Sequence, residues 1–168
     1  NRNPLLYSMN GADGLKTGHT NESGYGLIGS IKKNNRRVSI IINGLNSKKK
    51  RTFESKRLFN IVFRETALLS LFTNQKSLAQ ANVWLGKKIQ IDLVAQQPFK
   101  KIVSPVEFNK TKIKLKWMDP ISAPISKGDI VGEIFIKIPG KKIIQKNLIS
   151  SQNVEIMSSF MRVKSMLK

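Results

Sequence analysis

The stretch GADGLKTGHTNESGYGLIGSIKKNNRRVSIIIN, residues 11–43, decides how the rest of the chain is read. It contains three extended segments broken by turns: Leu15 to Thr20, Gly24 to Ile31 and Arg36 to Asn43. Lys32-Lys33-Asn34-Asn35 supplies the hairpin between the last two, so the strands follow one another antiparallel. Val38-Ser39-Ile40-Ile41-Ile42 is almost continuously β-branched, which predicts a strand buried on both faces and a helix packed against it. That helix is expected over Ser47 to Phe72, a run without Gly or Pro. There Phe53, Leu58, Ile61, Val62, Leu68, Leu69 and Phe72 recur at spacings that fit one apolar face. Ser47 is its expected N-cap.

Beyond Thr73 the texture changes through Asn74-Gln75-Lys76-Ser77 to short strand-like segments separated by turn residues. Val83 to Leu85, Lys88 to Val94, Lys101 to Pro105, Lys110 to Trp117, Asp129 to Ile138 and Lys141 to Ile144 have the spacing of a small all-β domain. Pro139-Gly140 and Lys127-Gly128-Asp129 mark its hairpins. The last piece returns to helical period. Ile156, Phe160, Val163 and Leu167 repeat at i, i+4, i+7 and i+11, which predicts an amphipathic basic helix over 153–168. Periodicity leaves open whether that helix lies in a membrane interface or packs on the β-domain. The reading is therefore α+β: strands and a packing helix over 1–73, an all-β domain over 74–152, and a terminal amphipathic helix.

The 168 residues include 30 Lys and Arg against 10 Asp and Glu, a net charge of +20. At 40% hydrophobic the chain can bury a core, which excludes intrinsic disorder of the whole. It has no Cys, so disulfides, thiolate metal sites and a Cys nucleophile are excluded. One His and isolated acids do not assemble the usual metal ligand set, and neither metal nor cofactor is expected. No apolar run approaches the roughly 20 residues of a spanning helix. The first residues lack both an initiator Met and a signal-peptide pattern, and the chain is expected to begin within a longer protein.

The lysines are scattered in twos and threes among Ile and Asn, a compositional drift rather than a nucleic-acid module, and a nucleic-acid partner is not expected. Only Lys110 to Trp117 alternates cleanly, placing Lys110, Lys112, Lys114 and Lys116 on one strand face and Ile113, Leu115 and Trp117 on the other. The charge as a whole predicts attraction to polyanions or anionic lipid at low salt. Trp84 and Trp117, both in strand contexts, are expected to be core or half-buried packing.

Asp13-Gly14-Leu15-Lys16-Thr17-Gly18-His19-Thr20 carries the chemistry. On a strand, Lys16 offers a fixed positive charge and Thr17 a hydroxyl donor for an acidic substrate terminus, while Gly18 lets a peptide backbone approach. The residue after Gly18 can turn its backbone N–H toward a developing oxyanion. Arg51, in Lys48-Lys49-Lys50-Arg51, reads either as one more cation at a strand-to-helix junction or as part of this site.

With Ser23-Gly24-Tyr25 and Arg51 followed by Glu54-Ser55, the motif resembles the C-terminal part of serine-type D-Ala-D-Ala carboxypeptidases, the low-molecular-mass penicillin-binding proteins. Val83-Trp84-Leu85-Gly86 and Ala123-Pro124-Ile125-Ser126-Lys127-Gly128-Asp129-Ile130-Val131-Gly132 are similar to that family's second domain. The resemblance implies a penicillin-binding-protein/β-lactamase-like transpeptidase portion followed by an accessory β-sandwich. It also implies removal of the terminal D-Ala from peptidoglycan pentapeptide stems through an acyl-serine intermediate that β-lactams would mimic. Lys16, Thr17, Gly18 and Arg51 would bind substrate, and His19 would lend its N–H to the oxyanion hole. The terminal helix, through Ile156, Phe160, Val163 and Leu167, would tether the protein to the anionic periplasmic face of the cytoplasmic membrane.

The family's Ser-x-x-Lys nucleophile and Ser-x-Asn motif belong well upstream of Lys-Thr-Gly, where this chain has no room. Ser30 to Lys33, Ser47 to Lys50, Ser165 to Lys168, Ser8 to Asn10 and Ser151 to Asn153 have those forms by coincidence of a Ser- and Lys-rich composition. Alone, this chain is expected not to turn over substrate. The alternative reading is a non-catalytic, basic envelope-associated binding or scaffolding module.

Overall fold

The computed structural model describes residues 2–73 and 76–158. The chain forms two compact units, Asn1–Leu68 and Leu69–Lys168. In the first, a 3-10 turn over Pro4–Tyr7 leads into strands β1 (Ala12–Thr20), β2 (Gly24–Lys33) and β3 (Arg36–Leu45), then helix α1 (Lys48–Glu65). The sheet order is β1-β2-β3, antiparallel throughout. Asn34 and Asn35 turn the β2–β3 hairpin with φ of 50° and 57°, the left-handed pair that suits the twist of the flanking strands.

Leu5, Leu27, Ile31, Val38 and Phe59 form the core of this unit. Gly29 is what lets the layers close: a Cβ there would lie 2.7 Å from Leu5 Cδ1 and 3.0 Å from Phe59 Cε2. Asn3, fully buried, pins the leading segment. Its Nδ2 donates to the Gly14 carbonyl at 2.8 Å and its Oδ1 accepts from the Leu5 N–H at 3.0 Å.

Two expectations for this unit need correction. The Val38–Ile42 strand is not buried on both faces: Val38 is buried but Ile41 is 77% exposed, because α1 covers one side of the sheet only. The helix, capped as expected by Ser47 Oγ accepting from the Lys50 N–H, ends at Glu65 instead of Phe72. Thr66 adopts an extended backbone, donates its hydroxyl to the Val62 carbonyl and accepts from Arg36. Leu68 and Leu69 therefore leave the helix, and Phe53 on its expected apolar face is 63% exposed.

The second unit consists of β4 (Ala67–Leu71), β5 (Ala79–Trp84), β6 (Gln90–Ala95), β7 (Phe99–Val103), α2 (Pro105–Lys110), β8 (Lys112–Trp117), β9 (Ile121–Ser122), β10 (Ile130–Lys137) and β11 (Ile144–Ser150). A six-stranded sheet in the order β8-β10-β11-β6-β5-β9 and a two-stranded sheet β4-β7 bury one core. Leu69, Phe99 and Val103 enter it from the small sheet, and Ile91, Leu93, Ile134, Ile136 and Leu148 from the large one. The division after Leu68 runs through β4, whose Leu69 belongs to this core.

Lys110 ends α2 instead of beginning a strand, since Ser104 and Glu107 close a capping box around the start of that helix. Lys141 to Ile143 are irregular, after the turn at Pro139-Gly140, and the strand expected there runs over Ile144–Ser150. Residues 153–158 are not helical. Val154 is buried and trades both backbone hydrogen bonds with Ile125, and the Met157 N–H donates to the Leu85 carbonyl at 2.8 Å. Ile156 bridges Gly86 in this extended segment, whereas Phe160, Val163 and Leu167 lie outside the described residues. Trp84 is 55% exposed, not packing, while Trp117 is half-buried against Gly132.

Candidate functional site

Strand β1 is the edge of its sheet, so half of its backbone N–H and C=O groups point away from β2. Thr17 is buried between the exposed Lys16 and Gly18, and the Lys16 ammonium donates to the Thr17 carbonyl at 2.9 Å. At Gly18 a Cβ would meet nothing within 4 Å, which leaves the strand surface open there. His19 pairs in register with Tyr25, and the two rings sit 3.9 Å apart at 40°.

Arg51 comes from the first turn of α1, fixed by its N–H donating to the Ser47 carbonyl at 3.0 Å. Its side chain is 7% exposed, with the guanidinium carbon 5.8 Å from the centroid of Tyr25. The Arg51 Nε has no hydrogen-bond partner among the described residues. A buried donor left unmade costs about 1–3 kcal/mol, more when charged, and an acceptor that reached this Nε would remove that penalty.

These residues meet in a cleft of about 540 Å³. Lys16, Thr17, Gly18 and His19 line it from β1, Tyr25 from β2, Lys48 and Arg51 from α1, and Arg2 from the segment ahead of β1. The cleft has four cationic side chains and no carboxylate in its lining, so its field favours an anion, and Thr17 and Arg51 add directional donors. Asp13, the nearest acid along β1, is engaged elsewhere. Arg37 pairs with it at 2.7 Å and also donates to Ser30 Oγ at 2.5 Å. Those contacts hold the Asp13 carboxyl below the usual carboxylate range.

Every residue expected at the substrate site is thus brought to one place, Arg51 included. Arg2, Lys48 and Tyr25 were not anticipated. The one-turn spacing of Lys48 and Arg51 places both on one helix face, and the β1–β2 register places Tyr25 opposite His19. Nothing in the sequence marks Arg2. Ser30 is tied to Arg37, Ser47 caps α1, and neither Ser8 nor Ser151 lines the cleft; Ser165 lies outside the described residues. Among the described residues no group of three or more His, Asp or Glu could hold a metal ion.

Comparison with known proteins places these features in a family. A family profile described as penicillin-binding protein 5, C-terminal domain, matches residues 68–156, and one described as D-alanyl-D-alanine carboxypeptidase matches residues 1–47. The chain is 32% identical over 165 residues to D-alanyl-D-alanine carboxypeptidase DacC of Escherichia coli, covering 97% of this chain and 41% of that protein. It is 29% identical over 156 residues to DacF of Bacillus subtilis, covering 92% of this chain and 40% of that one. Penicillin-binding protein 5 of Haemophilus influenzae is similar in structure, with a TM-score of 0.62 at 27% identity, over 90% of this chain and 45% of that chain. The chain therefore spans about two fifths of the length of the curated relatives it matches.

Proposed function

The chain belongs to the penicillin-binding protein 5 family of D-alanyl-D-alanine carboxypeptidases, and on that premise we propose that its cleft is the carboxylate-recognition wall of an enzyme removing the terminal D-Ala from peptidoglycan pentapeptide stems. The buried Arg51 with its unpartnered Nε, beside Thr17 on an edge strand, carries this reading. A peptide lying along β1 reaches the free backbone groups of the edge, and open space at Gly18 admits it. Its terminal carboxylate takes the Thr17 hydroxyl and the Arg51 guanidinium, in the field of Lys16. The scissile carbonyl oxygen then meets the His19 backbone N–H, a donor that gains strength as the oxyanion forms.

The nucleophile in this account is a serine supplied outside this chain, acylated in turn by peptide and by β-lactams, with water releasing the acyl group. Pentapeptide stems would put the work at the periplasmic face of the cytoplasmic membrane, where Phe160, Val163 and Leu167 would contribute to peripheral attachment.

The test compares this chain with a longer protein made by joining the N-terminal part of Escherichia coli DacC ahead of it. Incubated with a fluorescent penicillin and read by intact mass, this chain remains unlabelled, whereas the longer protein gains one adduct and releases D-alanine from a D-Ala-D-Ala-terminated peptide. An adduct on this chain would place the nucleophile among its own serines and overturn the account. A longer protein that binds the peptide without releasing D-alanine would leave a binding module instead.

A further inference from the structure

The cleft uses only part of the chain's charge, and a second cationic surface stands on the other unit. Strands β8 and β10 pair so that Lys112 is directly opposite Lys137, Lys114 opposite Phe135 and Lys116 opposite Glu133. Like charges directly opposite on a sheet destabilise it. Lys116 has Glu133 across from it, although that carboxylate also accepts from Gln145. Among the described residues Lys112, Lys114 and Lys137 make no ion pair.

Between these lysines runs a groove of about 420 Å³, lined by Lys112, Lys114, Lys116, Lys137, Phe135 and Ile143. Its surface is almost wholly hydrocarbon, made of lysine stems, the Phe135 ring and Ile143. Ile143, 59% exposed, stands in the connection between β10 and β11 beside the exposed Lys142. A cationic rim around an apolar floor is the chemistry of a water–hydrocarbon interface, where long lysines keep their stems in the apolar layer and their ammonium groups in the polar one.

We propose that this face docks on an anionic lipid bilayer, with Lys112, Lys114 and Lys137 at the headgroups and Ile143 entering the acyl boundary. A soluble polyanion satisfies the ammonium groups but leaves Ile143 and the apolar floor against a polar chain, and Phe135 is the single aromatic ring in the groove lining, where single-strand binders stack successive bases on several. A bilayer satisfies both parts of the surface. The proposal is independent of the cleft and does not rest on the enzymatic reading.

The experiment is sedimentation of the full chain with vesicles of equal parts phosphatidylglycerol and phosphatidylcholine, against pure phosphatidylcholine. The triple variant K112Q/K114Q/K137Q should lose affinity by about fivefold per lysine, about 100-fold in all. K76Q/K100Q/K127Q removes the same charge from lysines outside the groove and should stay within about tenfold of the parent. I143N should lower binding at high salt, where the headgroup attraction is screened. Circular dichroism melts confirm that each variant is folded. Equal losses in the two triple variants would show attraction by net charge alone and overturn the proposal. So would undiminished vesicle binding by the groove variants that F160S/V163S abolishes, or heparin binding that the groove triple weakens while I143N leaves vesicle binding unchanged.

Discussion

Arg51 lies with its guanidinium carbon 5.8 Å from the centroid of Tyr25, and the same ring meets His19 at 3.9 Å. The helix and two strands thus converge on one aromatic ring, which holds a buried cation in place without giving its Nε an acceptor. Replacing Arg51 by Met keeps the packing volume and removes the desolvated charge. R51M should melt at or above the parent's temperature, as replacements of buried charges often do. In the longer protein it should lower kcat/KM for D-Ala-D-Ala peptides roughly 10–100-fold, the worth of a charge-assisted hydrogen bond. Calorimetry and peptide hydrolysis read the two effects separately.

Close approach at Gly29 makes a second expectation. The G29A methyl would lie 2.7 Å from Leu5 Cδ1, so Leu5 and Phe59 must shift, and overpacking of this kind costs about 1–3 kcal/mol. N3A, which leaves the Leu5 N–H and the Gly14 carbonyl without their side-chain partner, should cost about as much. Urea titration of the first unit's transition checks both.

Acid should loosen the fold in a defined window. Asp13 is held below the usual range by Arg37, Glu107 by the Ser104 backbone N–H and then Lys141, and Glu155 by Lys87. A carboxylate whose folded pKa is depressed stabilises the fold above its unfolded pKa, and that contribution is lost as pH falls through the folded value. Melting temperature should therefore be flat near neutrality and decline below about pH 4. The D13N/E107Q variant should show a shallower decline, and an unchanged slope would contradict the assignment.

Amide hydrogen exchange addresses the segment that sequence period misreads as helix. The Val154 N–H, which donates to the Ile125 carbonyl at 2.7 Å, and the Met157 N–H, which donates to the Leu85 carbonyl at 2.8 Å, should be protected along with the β-sheet core. Rapid exchange at both would mean the segment is not docked.

Local rules made the first unit readable: an Asn-Asn hairpin, a Ser N-cap and a Lys-Thr-Gly strand each act within a few residues. Where the reading failed, a distant partner decided. Ile156 fits a helical stripe with Phe160, yet the Val154 side chain is worth more buried beside Ile125 than on a helix face. Leu68 and Leu69 fit the period of α1, but Thr66 turns the chain and Leu69 joins the core of the second unit. The capping box Ser104-x-x-Glu107 is a local signal of α2 that the strand reading of Lys101 to Pro105 passes over. In the cleft, Lys16, Thr17 and His19 were legible from the motif, whereas the unpartnered Nε of Arg51 depends on what surrounds it in space.

Carboxylate discrimination by the longer protein tests recognition at Thr17 and Arg51 head-on. Two peptides ending in D-Ala-D-Ala are compared, one with a free terminal carboxylate and one with a terminal carboxamide, in the parent and in T17V and R51M. The parent should prefer the acid by about 100-fold, the worth of a hydrogen bond to a charged group. Either substitution should erase most of that preference. Equal hydrolysis of acid and amide by the parent, or a preference that survives in both variants, would contradict carboxylate recognition by Thr17 and Arg51.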